Sequence, residues 1–248
     1  MKSKEDLKGN CMKALIFDCD GVLVDTERDG HRVAFNRAFG IKNLSITWNV
    51  ELYGKLLQVA GGKERMVHFF NQFGWPQDID DRDVFIKEMH ALKTEQFMGI
   101  IESGELALRS GIMRIVDEAI EKGIRLAVCS TSNEKAVNTV VDVLLGKGRK
   151  SHFEQILAGD VVSHKKPDPE IYNLAKEKLG LSGEECVVVE DSRNGLLAAK
   201  GAGMHCIVTK SAYTGDEDFT EADCVVDALG DPPDARVSIA DLNKLVTK

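Results

Sequence analysis

Short apolar runs rich in β-branched residues recur along the chain and predict six β-strands. The runs are Lys13–Phe17, Arg125–Cys129, Gln155–Leu157, Cys186–Val189, Cys206–Thr209 and Cys224–Val226. Amphipathic segments with helical spacing lie between them, at Ile112–Lys122, Glu134–Leu145, Pro169–Leu179 and Asn194–Gly201. Strands that alternate with helices predict an α/β fold with a Rossmann-like, mostly parallel sheet flanked by helices.

The region from about His31 to about Glu102 breaks this alternation, because it shows helical patterns and no convincing strand. The helical patterns cover Arg32–Phe39, Lys63–Phe73 and Asp83–Phe97. We therefore predict a Rossmann-like core domain at residues 11–29 and 104–248, and a small all-helical cap domain at residues 30–103, inserted after the first strand. An insertion at the carboxyl end of a strand lies above the ligand-binding edge of an open α/β sheet, so we expect the cap to select the substrate.

Composition indicates a globular protein and narrows the function classes. The chain has 248 residues, of which 43% are hydrophobic and 29% are charged. Its 40 acidic and 32 basic residues give a net charge of −8, which argues against a general binder of nucleic acid or anionic membranes. No apolar run approaches the roughly 20 residues that span a bilayer, and the first ten residues lack the apolar segment of a signal peptide.

The cysteines predict a reducing compartment rather than a structural zinc site. Six cysteines are scattered along the chain without a C-x-x-C pair. Several lie in or beside the predicted strands, where buried free thiols are the common outcome. The histidines show no H-E-x-x-H or other metal-binding spacing either.

Chemistry-bearing side chains occur at the ends of predicted strands. The segments are Asp18 to Gly21, Ser130 to Asn133, Lys165 to Pro169 and Glu190 to Ser192. Strand ends of a parallel sheet converge on one crevice, so we expect these segments to meet. Two or three carboxylates suit a hard cation, and we predict Mg²⁺, while a lysine, a hydroxyl and helix-start amides suit a phosphate.

Each of these segments alone also has an ordinary structural explanation. Thr131-x-x-Glu134 fits a capping box, Asp168-Pro169 fits a helix start, and Ser192 fits an N-cap. The pair Asp18-x-Asp20 resists such an explanation, because an unpaired carboxylate at the end of a buried strand is costly. The coincidence of four such segments favours a shared site.

The motifs D-C-D-G-V-L-V-D-T, C-S-T-S, K-K-P-D-P and V-V-V-E-D-S together resemble the haloacid-dehalogenase-like hydrolase superfamily, from about Cys11 to Gly230. The helical insertion resembles the small cap of its β-phosphoglucomutase-like group. The segment G-G-K-E-R at Gly61–Arg65, with C-S-T-S-N-E-K-A-V and A-G-D-V-V, is similar to CbbY-type phosphatases of photosynthetic organisms. This resemblance implies Mg²⁺ as cofactor and xylulose 1,5-bisphosphate, a misfire product that inhibits carbon fixation, as substrate. It also implies the plastid stroma in a photosynthetic eukaryote, and otherwise the cytoplasm.

The resemblance assigns catalytic and metal-binding roles to four acidic residues. Asp18 is expected to be the nucleophile that forms an aspartyl-phosphate. Asp20 is expected to protonate the leaving sugar oxygen and then to activate water. Asp18, the backbone carbonyl of Asp20 and Asp191 are expected to bind Mg²⁺, with Glu190 supporting the ion through water.

The resemblance also implies which groups hold the transferring phosphoryl group. They are the hydroxyl of Ser130, the backbone amide of Thr131 and the ammonium of Lys166. We prefer Lys166 to Lys165, because the lysine of the family directly precedes the proline.

Substrate choice is expected to reside in the cap and its hinge. A bisphosphate needs a second anion site, and the candidates for binding it and the rest of the sugar are Glu27, His31, Lys63, Arg65 and Lys93. Alternatively, Arg65 and Lys93 are ordinary solvated helix charges. His31 also departs from the family, since it stands one residue farther from Thr26 than the spacing D-T-x-x-x-H. Ser110-Gly111 replaces the Pro-Gly often seen after the cap.

Four other functions are compatible with part of this pattern. A phosphoglucomutase uses the same aspartyl-phosphate but returns it to a sugar, and a related phosphatase could act on another small phosphorylated metabolite. A metabolite sensor has no need for a nucleophile and a proton shuttle together, and a two-component receiver domain lacks the helical insertion. We expect a monomer whose partner is a small sugar phosphate, with neither a nucleic acid nor a membrane as partner.

Overall fold

The computed structural model describes residues 11–59, 61–77 and 79–247, which form two compact units. The core unit comprises the residues up to Asp25 and those from Ala107 onward. The helical unit is Thr26–Leu106, whereas the sequence pattern had suggested residues 30–103. It starts earlier than that pattern because Thr26–His31 already forms a π-helical turn.

Within the described residues, the core unit contains a six-stranded sheet in which every pairing is parallel, so the predicted α/β fold is confirmed. The strands are β1 (Ala14–Phe17), β2 (Arg125–Ser130), β3 (Phe153–Ala158), β4 (Cys186–Glu190), β5 (His205–Thr209) and β6 (Cys224–Val226). Their order across the sheet is β3-β2-β1-β4-β5-β6. In the central strand β1, Ile16 lies opposite Ala127 of β2 and Val188 of β4. The acidic segments that follow β1 and β4 therefore emerge from neighbouring strands.

The helical unit contains no strand in its described residues, as the sequence predicts. Its helices are α1 (Arg32–Ile41), α2 (Val50–Leu56), α3 (Gly62–Phe73) and α4 (Arg82–Glu102). The sequence pattern missed the short α2, although its N-cap Asn49 is a recognisable start signal and accepts a hydrogen bond from the Leu52 N–H at 2.8 Å. Trp48 is fully buried beside Phe35, with ring centroids 4.6 Å apart, and therefore packs in the core of this unit.

Helices of the core unit connect and flank its strands. They are α5 (Ile112–Glu121), α6 (Glu134–Val140), α7 (Gly146–Lys150), α8 (Glu170–Leu179), α9 (Arg193–Gly201) and α10 (Ile239–Val246). A π-helical turn at Val141–Leu145 continues α6, so one predicted helix is realised as two pieces. The unpredicted α10 begins with a capping box between Ser238 and Asp241. No helix in the described part of the chain is long and apolar enough to cross a membrane.

Strands β1 and β4 have every side chain buried, as their uninterrupted apolar runs predict. One hydrophobic cluster joins Ile16 and Val188 of these strands to Ile171 of α8 and Leu196 of α9. Full burial of each such aliphatic side chain contributes about 1.5–3 kcal/mol to folding. Four of the six cysteines are buried free thiols, Cys19, Cys129, Cys186 and Cys206, in agreement with the prediction. This rigid core fixes the ends of the strands, which hold the candidate site.

Candidate active site

Asp18 follows β1 directly, and its side chain is held at the carboxyl edge of the sheet. Only 7% of the residue is exposed, and its Oδ1 accepts a hydrogen bond from Lys166 Nζ at 2.6 Å. Lys166 Nζ also donates to Glu190 Oε1 at 2.6 Å and to the Cys129 carbonyl at 2.9 Å. A single ammonium therefore joins groups from β1, β2 and β4.

The turn after Asp18 requires a glycine because another carboxylate lies against it. Gly21 has a φ of +80°, in the region that favours glycine. A Cβ atom at this position would lie 2.0 Å from Asp191 Oδ2, so any side chain would displace that carboxylate. The Gly21 N–H donates to the Val24 carbonyl at 2.7 Å and closes the turn that carries Asp20. Asp20 Oδ2 in turn accepts a hydrogen bond from Ser130 Oγ at 3.5 Å.

Glu190 ends β4 and is fully buried, whereas Asp191 follows it at the edge of the site. The Glu190 carboxylate accepts hydrogen bonds from Lys166, from the hydroxyl of Tyr172 and from the Asp191 N–H, the last at 3.2 Å. A Cβ atom on Gly195 of α9 would lie 2.0 Å from the same carboxylate, so this helix can approach only through a glycine. Glu190 is therefore immobilised on several sides.

When they are ionised, the carboxyl groups of Asp18, Glu190 and Asp191 together carry more negative charge than the single ammonium of Lys166 offsets. Burial raises the pKa of Asp18 to about 8; Glu190 and Asp20 add to the rise, and Lys166 opposes it. Burial also holds the pKa of Asp191 well above its usual range, with further repulsion from Glu190 and Asp18. Burial disfavours the charged form of Lys166, but Asp18 and Glu190 outweigh it and raise the lysine's pKa. A cation placed among these groups would relieve the repulsion.

The donor set fits a hard divalent cation. Asp18, Glu190 and Asp191 each offer a carboxylate oxygen, and these oxygens lie within 4.8 Å of one another. Carboxylate oxygens are the ligands that Mg²⁺ prefers, and the raised pKa values of Asp18 and Asp191 mark an excess of negative charge for an ion to neutralise. The side chain of Asp20, by contrast, is directed to Ser130.

The end of β2 brings a buried hydroxyl to the same edge of the sheet. Ser130 is the last residue of this strand, and its Oγ accepts a hydrogen bond from the Ser132 N–H at 3.2 Å while donating to Asp20. The N-cap of α6 is Asn133, whose Oδ1 accepts from Ala136 N–H, so the capping-box explanation of Thr131 is wrong. Thr131 lies in the turn before the helix and keeps no role in starting it.

The segments before α8 and α9 each contain a residue that starts the helix as well as residues of the site. Ser192 is the N-cap of α9, and Asp168 Oδ1 accepts a hydrogen bond from the Glu170 N–H at 2.9 Å at the start of α8. Both residues therefore have the ordinary role that their sequence allows. Lys165 is exposed and lies 3.7 Å from Asp160, whereas its neighbour Lys166 is buried among the carboxylates.

The helical unit holds a second group of polar side chains, which we call the basic cluster: Glu27, His31, Tyr53, Arg65 and Lys93. The Tyr53 hydroxyl donates to Glu27 Oε2 at 2.6 Å and accepts from Arg65 Nη1 at 2.9 Å. Lys93 Nζ lies 2.9 Å from His31 Nδ1. Arg65 and Lys93 are each only 8% exposed, so the alternative that they are solvated helix charges is wrong.

His31 is held neutral within this cluster. Burial lowers its pKa well below the usual value, and the charges of Lys93, Arg65 and His90 lower it further. Because Lys93 is a donor, Nδ1 of the neutral imidazole is the acceptor and Nε2 carries the proton. The π-helical turn Thr26–His31 holds one residue more per turn than an α-helix. It thereby absorbs the extra residue between Thr26 and His31, and His31 still reaches Lys93.

Lys63 stands apart from the basic cluster. It is exposed and lines an open groove with Glu64, Val67 and Lys87. Residues two apart on a helix point to different sides, so Arg65 is buried where Lys63 is not.

Two buried tyrosines, which the sequence pattern did not single out, organise these groups. Tyr172 donates to Glu190, and Lys166 Nζ lies 4.9 Å from the centroid of its ring. Tyr53 bridges Glu27 and Arg65 in the helical unit. Tyr172 falls on the apolar face of α8, and a buried tyrosine hydroxyl needs a partner, which is the signal that could have identified it.

Both the sequence and the fold match known proteins. Residues 12–203 match the family model of the haloacid dehalogenase-like hydrolases. A CBBY-like protein from Arabidopsis thaliana is 56% identical over 239 residues, covering 95% of this chain and 75% of that protein. The crystal structure of a CbbY mutant from Rhodobacter sphaeroides in complex with xylulose-(1,5)bisphosphate is 39% identical, with a TM-score of 0.73 over 94% of this chain and 99% of that chain. β-Phosphoglucomutase from Clostridium difficile shares the fold at 22% identity, with a TM-score of 0.61 over 88% of this chain and 91% of that chain.

Proposed function

The chain belongs to the haloacid dehalogenase-like hydrolases and is a phosphoric monoester hydrolase, and from this premise we propose that it is a Mg²⁺-dependent sugar-bisphosphate phosphatase. The observation that carries the proposal is the joining of Asp18 and Glu190, at the ends of the adjacent strands β1 and β4, by the ammonium of Lys166. Asp191 follows Glu190 and lies against the turn that carries Asp20. Our candidate substrate is xylulose 1,5-bisphosphate, the compound bound to the CbbY mutant.

In the proposed reaction, Asp18 is the nucleophile and Asp20 moves the protons. A carboxylate oxygen of Asp18 attacks phosphorus, the bond from phosphorus to the sugar oxygen breaks, and Asp20 gives that oxygen its proton. Asp20 then takes a proton from water as the water oxygen attacks the aspartyl-phosphate. This second step releases inorganic phosphate and restores Asp18. The contact of Asp20 with Ser130 Oγ supports a defined position for this proton shuttle.

Asp18, Asp191 and the Asp20 carbonyl would hold the Mg²⁺ ion, with Glu190 supporting it through water. When bound, the ion would offset negative charge on the phosphoryl oxygens and on the carboxylates. The hydrogen bonds to Glu190 from Lys166, Tyr172 and the Asp191 N–H occupy its carboxylate and support this outer position.

Ser130, the Thr131 amide and Lys166 would hold the transferring phosphoryl group. Ser130 is buried at the end of β2, and its hydroxyl can donate to a phosphoryl oxygen in place of Asp20. The raised pKa of Lys166 keeps its ammonium charged, so it can both orient Asp18 and counter the charge that develops in the transition state.

The second phosphate of the substrate would be bound in the helical unit, as part of its proposed role as a substrate-selecting cap. Arg65 and Lys93 place two positive charges in a setting that is almost fully buried, where an anion is attracted more strongly than at an exposed surface. Glu27 and the Nε2–H of His31 can hydrogen-bond to hydroxyl or carbonyl groups of a sugar. We also propose the plastid stroma as the compartment in a photosynthetic eukaryote, and otherwise the cytoplasm, because the candidate substrate arises in carbon fixation.

The experiment that tests this proposal is a measurement of inorganic phosphate release, with and without Mg²⁺, from xylulose 1,5-bisphosphate, ribulose 1,5-bisphosphate, β-glucose 1-phosphate and phosphoglycolate. We expect Mg²⁺-dependent release with a strong preference for xylulose 1,5-bisphosphate. Asp18→Asn is the matched control: it keeps the side-chain shape and should lower turnover at least about 10⁴-fold while the far-UV circular dichroism is unchanged.

The outcomes separate chemistry from substrate. Activity spread evenly over monophosphates would retain the phosphatase and reject the bisphosphate. Transfer of phosphate to an added sugar in place of release would indicate a mutase. Wild-type-like release by Asp18→Asn would refute the aspartyl-phosphate mechanism.

A further inference from the structure

We infer that Arg109 is a positioning residue that ties the turn carrying Asp20 to the strand end carrying Glu190 and Asp191. The inference rests on the proposed function, because it assigns Arg109 a role through the proton shuttle Asp20. Arg109 belongs to none of the four motifs, and it lies just after the helical unit along the chain.

The guanidinium of Arg109 gathers acceptors from three separate segments of the core unit. Nη1 donates to the Gly21 carbonyl, to the Thr209 carbonyl at 3.0 Å and to Thr209 Oγ1 at 3.2 Å. Nη2 donates to the Asp227 carbonyl at 2.8 Å and to the Lys210 carbonyl. The side chain therefore links the turn after β1 to the segments that follow β5 and β6.

Its backbone is fixed to the same turn as its side chain. The Arg109 N–H donates to the Leu23 carbonyl at 2.8 Å, and the preceding residue Leu108 forms a β-bridge with Val24. Because the turn closes through Gly21 N–H and the Val24 carbonyl, Arg109 contacts it at both ends. This double attachment leaves the Asp20 turn little freedom to shift.

The other end of the link reaches the metal-binding acids. Thr209 Oγ1, which accepts from Arg109, lies 3.4 Å from the Glu190 carbonyl and donates to it. Gly21, whose carbonyl Arg109 binds, lies directly against the Asp191 carboxylate. A shift of the guanidinium would therefore change the position of Asp20 relative to both Glu190 and Asp191.

Arginine suits this role for a geometric reason. Its planar group presents five N–H donors in a fixed fork, so one side chain can satisfy several carbonyl groups at once. Lysine carries the same charge, but its three donors are clustered on a single nitrogen and cannot span these segments.

The test compares Arg109→Lys and Arg109→Met with the same changes at Arg114. Arg114 is the matched control, since it also donates to several backbone carbonyls, those of Leu229, Gly230 and Val237, which belong to the segment after β6 and not to the site. We measure kcat/KM for the preferred sugar phosphate and for p-nitrophenyl phosphate. The second substrate has a good leaving group that needs no proton, so it is insensitive to a misplaced general acid.

We expect the Arg109 variants to lose about 10²-fold in kcat/KM on the sugar phosphate and less than about threefold on p-nitrophenyl phosphate. Asp20→Asn should show the same pattern, and the Arg114 variants should leave both values unchanged below their melting temperatures. Thr209→Val removes one acceptor and keeps the arginine, so it should cause a smaller loss of kcat/KM on the sugar phosphate. This variant provides the test if the Arg109 variants do not fold.

Equal losses on both substrates, or no loss on either, would overturn the positioning role. A wild-type protein that releases no phosphate from either substrate would instead overturn the proposed function itself. The two failures are therefore distinguishable.

Discussion

The strand-end site of the core unit and the basic cluster of the helical unit are both buried groups of charges, but their excess charge has opposite sign. In the strand-end site the three carboxyl groups of Asp18, Glu190 and Asp191, when ionised, outweigh the single positive charge of Lys166. In the basic cluster Arg65 and Lys93 exceed the single charge of Glu27, since His31 is held neutral. Unbalanced buried charge is costly, and a ligand of opposite charge relieves it. The strand-end site is thus suited to binding a cation, and the basic cluster is suited to binding an anion.

The two sites also differ in how the chain constructs them. The strand-end site uses residues at the ends of parallel strands, where the register of the strands fixes which residues lie side by side. The basic cluster uses side chains from a π-helical turn and three helices, held by a central tyrosine. Rigidity in the first comes from the sheet, and in the second it comes from side-chain packing and hydrogen bonds.

The largest effect is expected when the positively charged side chain of Lys166 is removed from the strand-end site. Lys166→Met leaves the carboxyl groups of Asp18 and Glu190 without their shared partner. Breaking a buried ion pair from one side typically costs about 3–5 kcal/mol in the free energy of unfolding. Loss of phosphoryl binding and of Asp18 orientation should also lower turnover by at least about 10³-fold. Urea unfolding and phosphate release measure the two effects.

The adjacent Lys165 supplies the matched control for this change. Its exposed ammonium lies 3.7 Å from Asp160 and donates to the Thr131 carbonyl at 3.4 Å, whereas that of Lys166 lies between the carboxylates of Asp18 and Glu190. Lys165→Met should therefore change stability by less than about 0.5 kcal/mol and leave turnover near that of the wild type. Similar losses for the two variants would contradict the assignment of separate roles to these neighbours.

The contrast between the two sites also explains what the sequence could predict. All six strands were predicted, because apolar runs of β-branched residues report burial directly. The grouping of Asp18, Lys166 and Glu190 followed from the rule that parallel strand ends converge. The membership of Tyr53 in the basic cluster did not follow, because it depends on α2, whose seven residues are too few to show a clear helical period, although Asn49 marks its start.

Two further features lay beyond sequence reasoning for a similar reason. A π-helical turn has no residue signature, so the extra residue before His31 was visible while its structural accommodation was not. The contact of Gly21 with the Asp191 carboxylate joins segments that are far apart in the sequence, and that of Gly195 with the Glu190 carboxylate depends on how α9 packs beside β4. Such contacts become apparent only when the packing of the elements is known.

A smaller effect is expected when positive charge is removed from the basic cluster. It should weaken binding of a bisphosphate more than binding of a monophosphate. Arg65→Ala and Lys93→Ala each remove one positive charge of the proposed second anion site. A hydrogen bond to a charged group contributes about 1.5–3 kcal/mol, so KM for the bisphosphate should rise about 10- to 100-fold. KM for a monophosphate substrate should change much less, because it has no second phosphate.

Lys63→Ala is the exposed counterpart of the two buried substitutions and tests whether a position outside the basic cluster matters less. The sequence suggested Lys63 as a further ligand of the second phosphate, and its position in an exposed groove predicts a weaker effect than that of Arg65. We expect its ratio of bisphosphate to monophosphate KM to change less than about threefold. Equal losses on the two substrates for Arg65→Ala and Lys93→Ala would remove both from the second-anion role.

The smallest expected effect concerns the pH dependence of stability conferred by His31. Its pKa is lowered in the folded protein, so below about pH 6.5 the unfolded chain binds a proton at this residue that the folded chain does not. Stability from the neutral imidazole is therefore complete above that pH and is lost as the pH falls. His31→Gln removes the titration but retains an acceptor for Lys93. Its melting temperature should fall about 2–4 °C less than that of the wild type between pH 7.5 and pH 5.5.

The exposed His68 provides the control, because His68→Gln removes a histidine from the same helical unit without altering the basic cluster. It should reproduce the wild-type pH dependence of the melting temperature. His90, whose pKa is also lowered by burial and by Lys93, remains in both variants and contributes equally to each. A parallel pH dependence in His31→Gln and the wild type would mean that His31 is charged in the folded protein. The basic cluster would then hold a third positive charge, and its affinity for an anion would increase as the pH falls.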